Sequence, residues 1–253
     1  IAAEKIDPFI LVIPDQRTTY DGSFYSNTGI FGNWEDFTAY DLVSYMDKNY
    51  RTLAKPGSRG ITGHSMGGYG ALKIAMKHPD IFETVYALSP GALTIVREYG
   101  PNSNTYSEFS KMKTIEDLSK SYFGKVIMAF GRSWSPNANK PPFYFDLPFE
   151  YKNEAIVANP KALEKWYSEM PVHIIDKYLE NLNKLRAIKF DWGRNAGERF
   201  TIQCKMFSQR LENVGVKHFA EEYIGTHTNN IYTKDGRIPQ QMLPFFDFYL
   251  DFD

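Results

Sequence analysis

The sequence predicts an α/β fold, a mostly parallel sheet covered by helices. Three observations carry that prediction. Short apolar runs alternate with segments of helical periodicity at both ends of the chain. The stretch GITGHSMGGYGALKIAMKHPD (residues 60–80) changes from strand-like to helical periodicity at Ser65. At 253 residues the chain is long enough to bury a sizeable core, and with Cys204 as its sole cysteine it holds no intrachain disulfide.

Taken in order, PFILVIPD (residues 8–15) is a compact apolar run closed by Pro and Asp, as expected of a strand buried on both faces of a parallel sheet. GNWEDFTAYDLVSYMDKNY follows a Gly-rich loop and spaces Phe37, Tyr40, Leu42, Val43, Tyr45 and Met46 helically behind Asn33, a plausible N-cap. SRGITGHS reads as the next strand, MGGYGALKIAMKHP as a helix stopped at Pro79, and FETVYALSPG as another strand. From about 92 to 184 the rhythm breaks into polar and aromatic text, read as a lid-like insertion of short helices and irregular chain. RAIKFDWG (strand), FTIQCKMFSQRLENVG (helix), KHFAEEYIGTH (last strand and loop) and IPQQMLPFFDFYLDF (final helix) complete the pattern. No linker separates domains, so residues 1–253 read as a single domain carrying that insertion.

Net charge is −1 and the Lys and Arg residues are scattered, which argues against nucleic acid or an anionic membrane as partner. No apolar run approaches the roughly 18 residues of a membrane span, and the opening IAAEKIDPFILVIPD lacks a leader pattern. The expected compartment is cytoplasmic, or exported with a signal peptide removed. Aromatic residues reach 16%, more than a core of this size needs, so some should line a cleft, a lid or an interface.

GHSMG (residues 63–67) satisfies G-x-S-x-G, a turn that exposes a serine between a strand and a helix. Ser65 is therefore the candidate nucleophile, and the bland alternative is a tight turn with a capping serine. The Met66 N–H, at the helix N-terminus, suits a developing oxyanion. A serine needs a base, which in this chain order comes late. His227, in the loop after the last strand, fits. His64, His78, His173 and His218 read as structural or surface histidines, with His64 also placed beside the nucleophile, where it would border a substrate. Trp34, Trp134, Phe143 and Tyr144 are candidate substrate contacts, with ordinary packing as the alternative. The acid that orients the base should follow the preceding strand, in KFDWGRNAGERF, where Asp191 and Glu198 are the carboxylates. The histidines lack metal-ligand spacing and GHSMGG lacks the lysine of a phosphate loop, so no metal and no cofactor is expected.

Together, GNWEDF, YRT, GHSMGGYGALKIAMKHPDIF, ALSPG and GTH resemble the esterase D, S-formylglutathione hydrolase and feruloyl esterase-like family of α/β-hydrolases. The resemblance implies a serine carboxylesterase acting on small acyl or aryl esters, feruloyl or acetyl among them, in a bacterial setting. Two departures stand out. Similar members carry an aspartate two or three residues after the strand's closing glycine, where this chain has Asn195 and Ala196, which leaves Glu198 as the preferred acid. Nothing before PFILVIPD matches the family's first strands and its second oxyanion donor. The alternatives are an acyltransferase of the same fold and a catalytically impaired or non-catalytic binding protein. The sequence names neither the ester nor the oligomeric state, a homo-oligomer included.

Overall fold

A computed structural model describes residues 6–18 and 21–253; the opening residues 1–5 of the stretch read for a leader lie outside the described residues. The chain forms two compact units. One comprises the described part of Ile1–Asp15 with Ala39–Leu93 and Ile175–Asp253. The other comprises Gln16–Thr38 and Thr94–Ile174.

The first unit is built on four parallel strands, β1 (Gly60–His64), β2 (Thr84–Leu88), β3 (Ala187–Gly193) and β4 (Phe219–Tyr223), ordered β4-β3-β2-β1. β2 and β3 are apolar, partly β-branched runs of the kind a helix-covered sheet buries, whereas the edge strands β1 (GITGH) and β4 (FAEEY) are half-buried or partly exposed. β2 is buried throughout. The register aligns His64 with Leu88, Leu88 with Asp191 and Asp191 with Glu221, a row across the carboxyl ends of the strands. Ligands of open α/β sheets bind at that edge. Helix α1 (Leu42–Asn49) precedes β1, α2 (Met66–Lys77) connects β1 to β2, α3 (Glu198–Asn213) connects β3 to β4, and α4 (Leu243–Tyr249) ends the chain. Tyr86, Leu88, Ala187, Ile231, Met242, Phe245 and Phe246 form one buried cluster under the sheet's final helix.

Two expectations for this unit need correction. Residues 8–15 form no strand, and Ile10, Leu11, Val12 and Ile13 are exposed, Ile13 at 83%. Apolar composition favours burial, but a parallel strand is held only by a ladder partner; among the described residues these make none, and β1 is the sheet's edge. The helix expected behind Asn33 forms as a short turn, a π-helical turn (Phe37–Asp41) and α1, but Asn33 makes no side-chain capping bond and α1 buries none of its residues.

The second unit takes residues 94–174, narrower at both ends than the 92–184 insertion read from the sequence, and adds Gln16–Thr38. It contains helices Tyr122–Trp134 and Pro160–Tyr167 and an antiparallel strand pair, Phe149–Lys152 with Ala155–Ala158. Phe24, Phe130, Trp134 and Trp166 form its aromatic core: Phe130 stacks on Trp134 at 4.3 Å, and Trp166 meets both edge-on at 5.4 Å. Trp166 Nε1 donates to Ser135 Oγ at 2.8 Å, so the indole is buried with its polar atom satisfied.

Candidate active site

Ser65 stands where β1 turns into α2. Its backbone has φ 58° and ψ −112°, a left-handed conformation that costs a non-glycine residue about 1–3 kcal/mol. Neighbouring bonds hold it there: Ser65 N donates to Leu88 O at 3.0 Å, and Ser65 O accepts from Tyr69 N at 3.0 Å and Gly91 N at 3.2 Å. Gly63 is required by the same bend, since a Cβ there would lie 2.4 Å from the Gly67 carbonyl carbon and oxygen. Although Ser65 occupies the N-cap position, its side chain makes no capping bond. Its Oγ lies 2.9 Å from His227 Nε2 instead. That geometry removes the capping-serine alternative.

His227 belongs to the loop after β4. Two backbone contacts tie this loop down: a long-range one, Asn195 N donating to Gly225 O at 2.8 Å, and one within the same segment, Arg237 N donating to Asn230 O at 2.7 Å. Phe200, in the first turn of α3, lies face-on against the imidazole at 3.6 Å and 17°. The Arg199 guanidinium sits over the Phe200 ring, 5.1 Å from its centre. Burial pulls the His227 pKa down, and His64 and Arg199 pull it further, to about 4.

Among the described residues no carboxylate bonds to the acid side of His227. Its Nδ1 is buried and has no hydrogen-bond partner. Glu198, the preferred acid, is exposed at the start of α3 and does not bond to this nitrogen. That expectation is corrected: once α3 begins at Glu198, the residue presented to the imidazole is Phe200. Asp191 is also engaged elsewhere. It is fully buried on β3, where its Oδ2 accepts from Tyr86 OH at 2.5 Å and from Arg237 Nε at 3.0 Å, while Arg237 Nη2 also donates to Glu221 at 2.7 Å. Burial pushes the Asp191 carboxyl up and Arg237 opposes that shift.

No hydrogen bond at Nδ1 selects a tautomer of His227: protonated, this nitrogen is a buried donor without an acceptor, and unprotonated, a buried acceptor without a donor. Nε2 can accept from Ser65 Oγ only in the tautomer with its proton on Nδ1. Holding that tautomer is one of the functions an acid serves in such a triad.

The remaining sequence candidates are placed as follows. Met66 opens α2, where first-turn N–H groups lack helical partners. His64 Nε2 lies 2.7 Å from the His227 carbonyl oxygen, a contact within the fold where the sequence suggested a substrate contact. Trp134 is a core residue of the second unit, not a cleft residue, because Phe130 and Trp166 cover it. Phe143 packs on Phe109 and Phe145, Tyr144 is exposed, and Trp34 Nε1 donates to Phe31 O at 2.9 Å. Sequence reasoning missed Phe200, Arg199 and the Asp191–Arg237 pair. An aromatic residue in the first turn of a helix that follows the acid loop was the available signal for Phe200. Among the described residues no group of His, Cys, Asp or Glu is placed to hold a metal ion, and no helix is long and apolar enough to cross a membrane.

Comparison with known proteins identifies the family and the fold. A model of the family described as "Putative esterase" matches residues 1–235. Esterase Rv1288 of Mycobacterium tuberculosis is 36% identical over 97 residues, 37% of this chain and 20% of that protein. The S-formylglutathione hydrolase of Paracoccus denitrificans is 49% identical over 43 residues, 17% of this chain and 15% of its own. These matches span about a fifth or less of the curated relatives. The solved structure of Mycobacterium tuberculosis MPT51 superposes with a TM-score of 0.56 over 90% of this chain and 73% of that one, at 16% identity, which speaks to the fold alone. Because the family match runs through the elbow, the sheet and the base loop, this chain belongs to the esterase family and has the α/β-hydrolase fold.

Proposed function

We propose that this chain is a serine carboxylesterase that works through a Ser65–His227 pair on small acyl or aryl esters. The observation that carries the reading is the 2.9 Å contact between Ser65 Oγ and His227 Nε2 at the apex of a strained turn. In the His227 tautomer with its proton on Nδ1, Ser65 Oγ attacks the ester carbonyl carbon and its proton passes to the unprotonated Nε2. The Met66 N–H, with the start of α2 behind it, stabilises the tetrahedral oxyanion. Collapse expels the alcohol, which takes the proton back from Nε2, and water repeats the sequence on the acyl-enzyme to release the acid.

The unpartnered Nδ1 favours a second reading, an impaired hydrolase that retains the fold and binds its ester but turns it over slowly. One experiment separates the two. Hydrolysis of p-nitrophenyl acetate and butyrate is measured for the chain, for Ser65→Ala and for Ala196→Asp, together with labelling by a fluorophosphonate probe. The esterase reading expects labelling at Ser65 and turnover that Ser65→Ala abolishes. Ala196→Asp is expected to raise kcat by about tenfold or more, because wrong-tautomer imidazole in such triads is slower by up to about 10⁴-fold. A chain no faster than Ser65→Ala and refractory to the probe is not an esterase. Diversion of product from free acid to a new ester by an added alcohol would mark an acyltransferase.

A further inference from the structure

His64 is the last residue of β1 and the immediate neighbour of the nucleophile, and its side chain reaches a residue 163 positions away. Its Nε2 lies 2.7 Å from the backbone oxygen of His227, and the two rings approach to 4.8 Å. A carbonyl oxygen only accepts, so Nε2 carries the proton and donates. Burial lowers the pKa of His64, which keeps the ring neutral with that proton fixed on Nε2.

The contacts that orient His227 are few. Its Nδ1 has no partner, and its Nε2 bond to Ser65 must break and reform during reaction. The Phe200 stack fixes the plane of the ring but lets it slide within that plane. The loop's inner bonds, Thr226 N to Asn229 Oδ1 and Asn229 N to Thr226 Oγ1, lie within the loop itself and are exposed. The bond from His64 joins the main chain of the base directly to the strand that carries the nucleophile.

We infer that His64 is a positioning residue: by holding the His227 carbonyl it sets the distance between base and nucleophile in a site where, among the described residues, no carboxylate bonds to the base. It supplies orientation and no charge, and so replaces one of the two functions of a triad acid. This inference rests on the Ser65–His227 reading. A base displaced by about 1 Å can lose on the order of 100-fold in rate.

The test is steady-state hydrolysis of p-nitrophenyl acetate by the whole chain, by Ser65→Ala, and by His64→Leu, His64→Gln and His64→Asn, with fluorophosphonate labelling rates and thermal midpoints for each. Gln places an amide N–H near the position of the imidazole Nε2, whereas the Asn side chain is too short. The expected result is a kcat at least about tenfold lower in His64→Leu and His64→Asn with KM within about twofold. His64→Gln should stay within about threefold of the parent, and labelling rates should follow kcat. If the Leu variant does not fold, the Gln and Asn pair decides the matter alone. Equal losses in Gln and Asn, an unchanged kcat in Asn, or a loss confined to KM would overturn the inference, the last making His64 a substrate contact. A parent no faster than Ser65→Ala overturns the dyad and this inference with it, whereas an active parent with an indifferent His64 overturns the inference alone.

Discussion

His227 holds a proton weakly, because burial first and then the nearby His64 and Arg199 lower its pKa to about 4. A general base must be neutral in the free enzyme to accept the nucleophile's proton. Since the proton binds only below that lowered pKa, kcat/KM should stay level down to about pH 5. Below about pH 4 it should fall about tenfold per pH unit. The measurement is a pH profile with p-nitrophenyl acetate, with circular dichroism at each pH to separate titration from unfolding. An acid limb near the ordinary histidine value of about 6.5 would mean that a carboxylate reaches His227 in solution. At this scale the sequence was informative where chemistry restricts the residue type. Ser65 and His227 could be found by motif and chain order. The acid could not, because Asp191 and Glu198 were separable only by knowing where β3 ends and α3 begins. The contact from His64 was invisible for another reason: nothing local signals a bond spanning 163 residues.

The loop after β3 and the loop after β4 approach each other at Gly193. A Cβ on Gly193 would lie 2.4 Å from the carbonyl oxygens of Gly225 and Thr226, the two residues before the base. Gly193→Ala should therefore push the base loop away from β1, since the atoms it meets are backbone. The expected outcome is a loss of fluorophosphonate labelling of at least about tenfold, with a stability cost of about 1–3 kcal/mol by urea denaturation. Full labelling at a lowered urea midpoint would show that the loop moves without carrying the base. The four sheet strands and α2, α3 and α4 were legible because each has its own periodicity and its own stop signal. Residues 8–15 were misread because the same apolar run satisfies a composition rule while its pairing depends on another strand.

Nucleophile, base and supporting helix come from three separate stretches of one unit, so the site exists only when that whole unit is assembled. Ser65 precedes α2 and His227 follows β4, 162 residues later, and neither is near the other in an unfolded chain. Cys204 reports on the same assembly. It is fully buried on α3, one helical turn after Phe200, with its Sγ 3.7 Å from Pro90 O. Burial pushes its thiol pKa well up, so it is inert until the unit opens. In a urea series, the concentration at which Cys204 begins to react with a thiol reagent should match the concentration at which Ser65 stops reacting with a fluorophosphonate. A common midpoint means that the elbow and the base loop are held by the same cooperative packing as the sheet. Loss of Ser65 labelling at lower urea, with Cys204 still protected, would place the base loop in a less stable part of the fold, where two backbone anchors and one histidine are too little to fix it.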